Sequence, residues 1–133
     1  MNTLAIQSTE DSPAVEYDIT TNKFIISGDS RPENAGNFYK PIISWITELN
    51  NYLASNPSRL TNNDQFSFIF KYSYFNSTSA KYIAEIFSNL KTLIENGHSI
   101  TIEWYYDERD EDMLESGKEF ALLFNLNVQF ISY

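Results

Sequence analysis

Three stretches of this sequence gather side chains able to take part in chemistry. The first is Tyr74-Phe75-Asn76-Ser77-Thr78-Ser79, where three consecutive hydroxyls follow an asparagine. The pattern places it where a strand hands over to a helix. Open α/β sheets carry functional groups at the carboxyl ends of strands, and free N–H groups and the helix dipole favour negative charge there. A phosphate on one of these hydroxyls is tolerated at such a spot, and it shows up to two negative charges to a docked partner. Ser and Thr are also the ordinary residues of a plain helix cap.

The second stretch, Trp104 to Met113, holds Asp107, Glu108, Asp110, Glu111 and Asp112 behind three aromatics. One chemical reading is a divalent-cation site, with Asp107, Asp110 and Asp112 serving a metal-dependent hydrolase. Another is a docking surface. Specific metal loops show ordered ligand spacing and a tight glycine turn, and this run has neither. Its plain reading is a solvated, acidic helix start. The third stretch, Gly28 to Asn34, has too few glycines to cradle a phosphate. It reads as a connector, or as a surface loop that lends Glu33 and Asn34 to a partner site. His98 follows Gly97 just after a helix, where the dipole favours a histidine, and it reads as structural. No nucleophile–histidine–carboxylate arrangement is evident, so nothing specific marks an enzyme and no cofactor is expected.

Composition narrows the partners. The formal net charge is −9, and nucleic-acid affinity rests on neutralising phosphates. Nucleic acid and anionic membranes are therefore poor partners, whereas a basic protein patch suits. With no cysteine and one histidine, disulfides, thiolate zinc sites and multi-histidine metal sites are excluded within one chain. Met1 to Thr9 lacks the pattern of a signal peptide. No apolar run approaches the roughly 20 residues needed to span a bilayer, so the cytoplasm is the expected compartment. Aromatics at 16% supply a packed core rather than disorder. The length of 133 residues suits one domain, residues 1–133.

The elements that must position these stretches follow from periodicity. Leu4 to Ile6 is a strand candidate. Val15, Tyr17 and Ile19 alternate, and Phe24-Ile25-Ile26 after Asn22 completes a β-hairpin. Helical spacing of Phe38, Ile42, Trp45, Ile46, Leu49 and Leu53 predicts a helix over about 38–54. Asn37 would cap it, Pro41 would sit in the first turn, and Asn56-Pro57 would close it. Phe66, Phe68 and Phe70 mark a strand apolar on both faces, hence central in a sheet. Ser77, Thr78 or Ser79 would cap a helix running to Asn96-Gly97. A strand from Ile100, a helix from Met113 to Phe124 and a last strand after Leu126 complete the chain. The order predicts an α/β domain with parallel strands, right-handed crossovers and an antiparallel hairpin at one edge.

Four segments in this order resemble the SiaC family of regulatory phosphoproteins: Thr9-Glu10-Asp11-Ser12-Pro13, GDSRPENAGNFYKPIISW, YFNSTSAKY and WYYDERDEDMLESG. The resemblance implies a fold like the anti-sigma-factor antagonists (STAS or SpoIIAA-like domains), a small mixed sheet packed with three helices. It implies a bacterial signalling protein rather than an enzyme. A partner kinase (SiaB-like) phosphorylates the hydroxyl directly after the asparagine, and a PP2C-type phosphatase (SiaA-like) removes the phosphate. In the characterised pathway the unphosphorylated protein binds and activates a diguanylate cyclase (SiaD-like), so it controls cyclic di-GMP synthesis. By motif the modified residue is Ser77, where the family commonly has threonine. Asn76, Thr78, Ser79, Glu33, Asn34, Asp107 and Asp110 are then expected to contact partners. Tyr106 joins them because strand alternation puts it on one face with Trp104. A scaffold without phosphorylation is the remaining alternative.

Overall fold

Apolar side chains recur at every second position of the strands, and this alternation decides which face of the sheet is covered. The computed structural model of the protein describes residues 3–18, 20–55 and 65–133. The strands are β1 (Leu4–Ile6), β2 (Ala14–Asp18), β3 (Lys23–Ser30), β4 (Phe66–Phe75), β5 (Ile100–Tyr106) and β6 (Val128–Ser132). The helices among the described residues are α1 (Ala35–Ser55), α2 (Ser77–Glu95) and α3 (Glu111–Leu123). One sheet holds all six strands in the order β1-β2-β3-β4-β5-β6. β1, β2 and β3 pair antiparallel, while β3 to β6 pair parallel. Successive right-handed crossovers that always step the same way put every connecting helix on one face.

Burial follows. Tyr17, Phe24, Ile26, Phe68, Phe70, Tyr72, Ile102 and Trp104 are buried with the inner faces of α1 and α2 in one core. Their neighbours Glu16, Ile25, Ile69, Lys71, Ser73, Glu103 and Tyr105 stay exposed or half-exposed on the other face. β4 is interior, as its composition predicts, but its second face carries Lys71 and Ser73 toward solvent. Lys71 Nζ lies 5.5 Å from the Tyr105 ring centre and 5.0 Å from that of Tyr133.

Several local expectations change for physical reasons. α1 starts at Ala35, three residues before the predicted Phe38. Asn34, not Asn37, satisfies its start: the Asn34 Oδ1 accepts from Asn37 N at 3.1 Å. Pro41 therefore lies in the second turn. Gly28 belongs to β3, not to a loop, and a bulge there (φ +110°) carries the strand on to Ser30. Ile19 and Asn56-Pro57 lie outside the described residues.

His98 is structural, but not through the dipole. It is buried, and neither ring nitrogen has a hydrogen-bond partner. Desolvation lowers its pKa below the ordinary 6.5, so the neutral ring is the form the fold accepts. As pH falls through about 6.5 the unfolded chain takes up the proton first. Stability is therefore lost from there down to the folded pKa. Urea unfolding at pH 7.5 and pH 5.5 should show this limb in the natural protein and a flatter one in His98→Leu.

Candidate functional site

The three stretches meet along one end of the sheet because each follows the carboxyl end of a parallel strand. The 31–34 loop follows β3, Ser77 follows β4, and the acidic run follows β5. Neighbouring strands lie about 4.8 Å apart, so Ser77 stands between the other two. The Thr9–Pro13 segment joins the same end, with Arg31 N donating to Asp11 O at 2.8 Å.

Asn76 is the N-cap of α2, a role expected of one of the three hydroxyls. Its Oδ1 accepts from Ser79 N at 2.9 Å. Ser77 and Thr78 occupy the first two helical positions and are exposed. Ser79 is fully buried, so its expected contact with a partner is corrected: its hydroxyl faces inward and donates to Ser30 O at 3.0 Å. The reason is helical geometry, since the third residue of the turn swings under the helix toward the sheet.

Below Ser77 runs a buried file of hydroxyls that the sequence reading missed. Ser30 Oγ donates to Ser79 Oγ at 2.9 Å. That fixes the rest: Tyr39 OH, 2.6 Å from Ser30 Oγ, must donate to it. Tyr72 OH, 3.1 Å from Tyr39 OH, must donate in turn. Every proton points one way, ending on Ser30 O, whose other lone pair takes Asn76 N at 3.0 Å. Ser30 thus anchors both Asn76 and Ser79, the residues that straddle the Ser77–Thr78 pair. Burial raises the pKa of Tyr39, and that of Tyr72 well above 10, so both stay protonated. The available signal was Tyr39 itself, a phenol beside an apolar helical stripe, because a buried tyrosine needs a partner for its hydroxyl. Tyr39→Phe leaves the buried Tyr72 hydroxyl without its acceptor, while Ser30 Oγ keeps Ser79, and should cost about 1–3 kcal/mol, read as a lower urea midpoint with an unchanged slope.

On the far side of Ser77 the acidic run divides its tasks. Asp107 accepts from Arg109 N at 2.9 Å, Nε at 3.2 Å and the terminal guanidinium nitrogen at 3.2 Å. The Arg109 side chain holds the Asp107 carboxyl below its ordinary pKa. Asp110 caps α3, accepting from Met113 N at 3.0 Å. Glu111 and Asp112 sit in the first turn of α3. With Asp107 and Asp110 committed in this way, no group of three Asp, Glu or His side chains among the described residues could hold a metal ion. Two shallow depressions flank the run, one lined by Ser73, Asp107, Arg109 and Asp110, the other by Tyr74, Phe75, Asp112 and Ser116 among others. Tyr106 shares a face with Trp104, as expected, but that face is the helix-covered one. Its ring is half-buried against the core. Glu33 and Asn34 are exposed, with Asn34 engaged as a cap.

The first turn of α2 contains no acidic residue, whereas that of α3 contains two. Beneath two exposed hydroxyls, the positive end of the α2 dipole thus meets no acid of its own first turn.

Together these features define a small one-layer-covered α/β domain, mixed in its sheet and STAS-like in form. Residues 6–133 match the SiaC family of regulatory phosphoproteins, and the chain belongs to that family. An uncharacterised protein of Pseudomonas aeruginosa (strain UCBPP-PA14) is 28% identical over 120 residues, spanning 90% of this chain and 88% of that protein. The fold is that of apo-SiaC from Pseudomonas aeruginosa, with a TM-score of 0.81 at 22% identity, covering 99% of this chain and 100% of the other. It matches equally a chain in the structure of the diguanylate cyclase SiaD in complex with its activator SiaC from the same organism. There the TM-score is 0.81 at 23% identity, covering 98% and 99% of the two chains. No helix among the described residues is long and apolar enough to cross a membrane.

Proposed function

We propose that this protein is a phosphorylation-switched binding module in which Ser77 carries the phosphate. A serine/threonine kinase adds it, a PP2C-type phosphatase removes it, and the unphosphorylated form binds a downstream target. The observation that supports this most is the exposure of Ser77 at the start of α2, over an anchored turn that holds no acidic residue. Membership of a family of regulatory phosphoproteins supports it independently. A diguanylate cyclase is the target we favour, since SiaC of Pseudomonas aeruginosa is described as the activator of one. Glu33, Asn34, Asn76, Thr78, Asp107 and Asp110 then form the rim around the switch, with Tyr106 contributing its exposed edge. The test is mass spectrometry of the intact protein after incubation with ATP and a cognate serine/threonine kinase from the same organism. One phosphate, mapped by fragmentation to Ser77, is expected. Phosphate on Thr78 alone, or none, would overturn the assignment.

A further inference from the structure

The C-terminal segment Phe120–Tyr133 contains no charged residue, in a chain where charged residues make up 20% and the net charge is −9. It includes β6, which ends the sheet order, so among the described residues one side of that strand has no ladder partner. Exposed edge strands are ordinarily blunted by lysine, proline, a bulge or extreme shortness. β1, the opposite edge, is three residues long. β6 has five residues, Val-Gln-Phe-Ile-Ser, without charge or proline, and its pairing with β5 runs in unbroken register. The same segment also holds three of the four large apolar side chains left exposed among the described residues: Leu122 at 84%, Leu123 at 69% and Tyr133 at 51%. A neutral sequence, an open edge and exposed apolar side chains thus coincide in one stretch of chain.

We infer that the β6 edge is a self-association surface, taking a second copy of this chain with β6 antiparallel to its symmetry mate. Charge selects this occupant. A basic partner gains nothing from an uncharged strip and is drawn to the acidic surfaces elsewhere. A second copy carries the same −9 charge and can approach closely only where that charge is absent. A two-fold axis across the edge makes the contact isologous and closed, and the two sheets become one. The carboxyl ends of β4 in the two copies then point in opposite directions. The dimer carries its two Ser77 turns at opposite ends and can bridge two partner molecules.

The inference predicts an unusual salt dependence. Repulsion between two like-charged bodies is screened by salt, so dimerisation should tighten as NaCl rises from 20 to 500 mM, whereas binding of a basic partner would weaken. Sedimentation equilibrium should show 15.4 kDa at low loading and low salt, rising to about twice that mass at roughly 0.5 mM protein in 500 mM NaCl. Gln129 is exposed on β6 and pairs with Glu103 of β5, so Gln129→Lys meets an opposite charge within the monomer but sets like charges across the axis. It should weaken the dimer at least tenfold while circular dichroism and thermal unfolding of the monomer are retained. A monomer at every loading and salt concentration overturns the inference. So does a dimer indifferent to Gln129→Lys, or open-ended association to larger species.

Discussion

Ser77→Ala is expected to end phosphate incorporation, and Ser77→Asp to weaken target binding about 150-fold, a loss of about 3 kcal/mol. The size follows from where the charge would lie. Ser77 is exposed in the free protein and would be covered in the complex. An added charge there must lose its water when the complex forms, beside a surface that already carries Asp107 and Asp110, and the exposed Lys81 one turn further along α2 meets it only in part. Penalties for a buried, unpaired charge in an interface run about 2–5 kcal/mol. No refolding is needed to transmit the signal. Indeed the same substitution should stabilise the free protein slightly, by about 0.3–1 kcal/mol, because α2 lacks an acid in its first turn. Isothermal titration with the target and thermal unfolding of the free variant separate the two effects. Equal affinity of Ser77→Asp and the natural protein would sink the steric and electrostatic switch. A lower melting temperature would mean the affinity loss reflects unfolding instead.

Gly117→Ala is the substitution expected to harm the fold most for its size. A Cβ built at Gly117 meets Trp104 Cδ1 and Nε1 at 2.6 Å and Cε2 at 2.8 Å. Real Cβ contacts are essentially never so short, so something must move. Trp104 has no room to move: it is fully buried, and its Nε1 donates to Met113 O at 3.0 Å. Its ring is also packed against Phe70, Phe75, Phe87 and Phe120. α3 must therefore lift off β5. Overpacking of this kind costs about 1–3 kcal/mol, or more where neither side can yield. The better helix propensity of alanine returns at most about 1 kcal/mol. We expect a net loss of about 2 kcal/mol, or about 8 °C in melting temperature for a chain of this size. Trp104→Phe in the Gly117→Ala background should be less destabilising than Trp104→Phe alone, because it vacates the space the methyl needs. Additive losses in the double-mutant cycle would refute the steric account.

Much of this was legible in the residues. The strand composition of Phe66 to Phe70, the stripe from Ile83 to Leu93 and the Asn96-Gly97 stop gave the element order, because period and caps are local properties. The candidate stretches were visible for the same reason, as clusters of residue types in short windows. Less visible was how adjacent hydroxyls divide their work. Ser77, Thr78 and Ser79 look alike in sequence, yet two face solvent and one closes a buried file that reaches Tyr72 through Ser30 and Tyr39. Helix phase at Ser79 and the bulge at Gly28 decide that, and both depend on where β3 and α2 dock.

By itself, then, the sequence determined the number and order of the elements, the acidic character, and the position of an asparagine–hydroxyl step between a strand and a helix. Period and capping act over a few residues and need no knowledge of the rest of the chain. Only the tertiary structure decided that Asn76 caps α2, that Arg109 engages Asp107, that His98 is buried with neither ring nitrogen hydrogen-bonded, and that among the described residues β6 ends the sheet. Each of those outcomes pairs groups brought together by packing, or leaves a group without a partner. Desolvation and contact exist only once distant strands share one sheet.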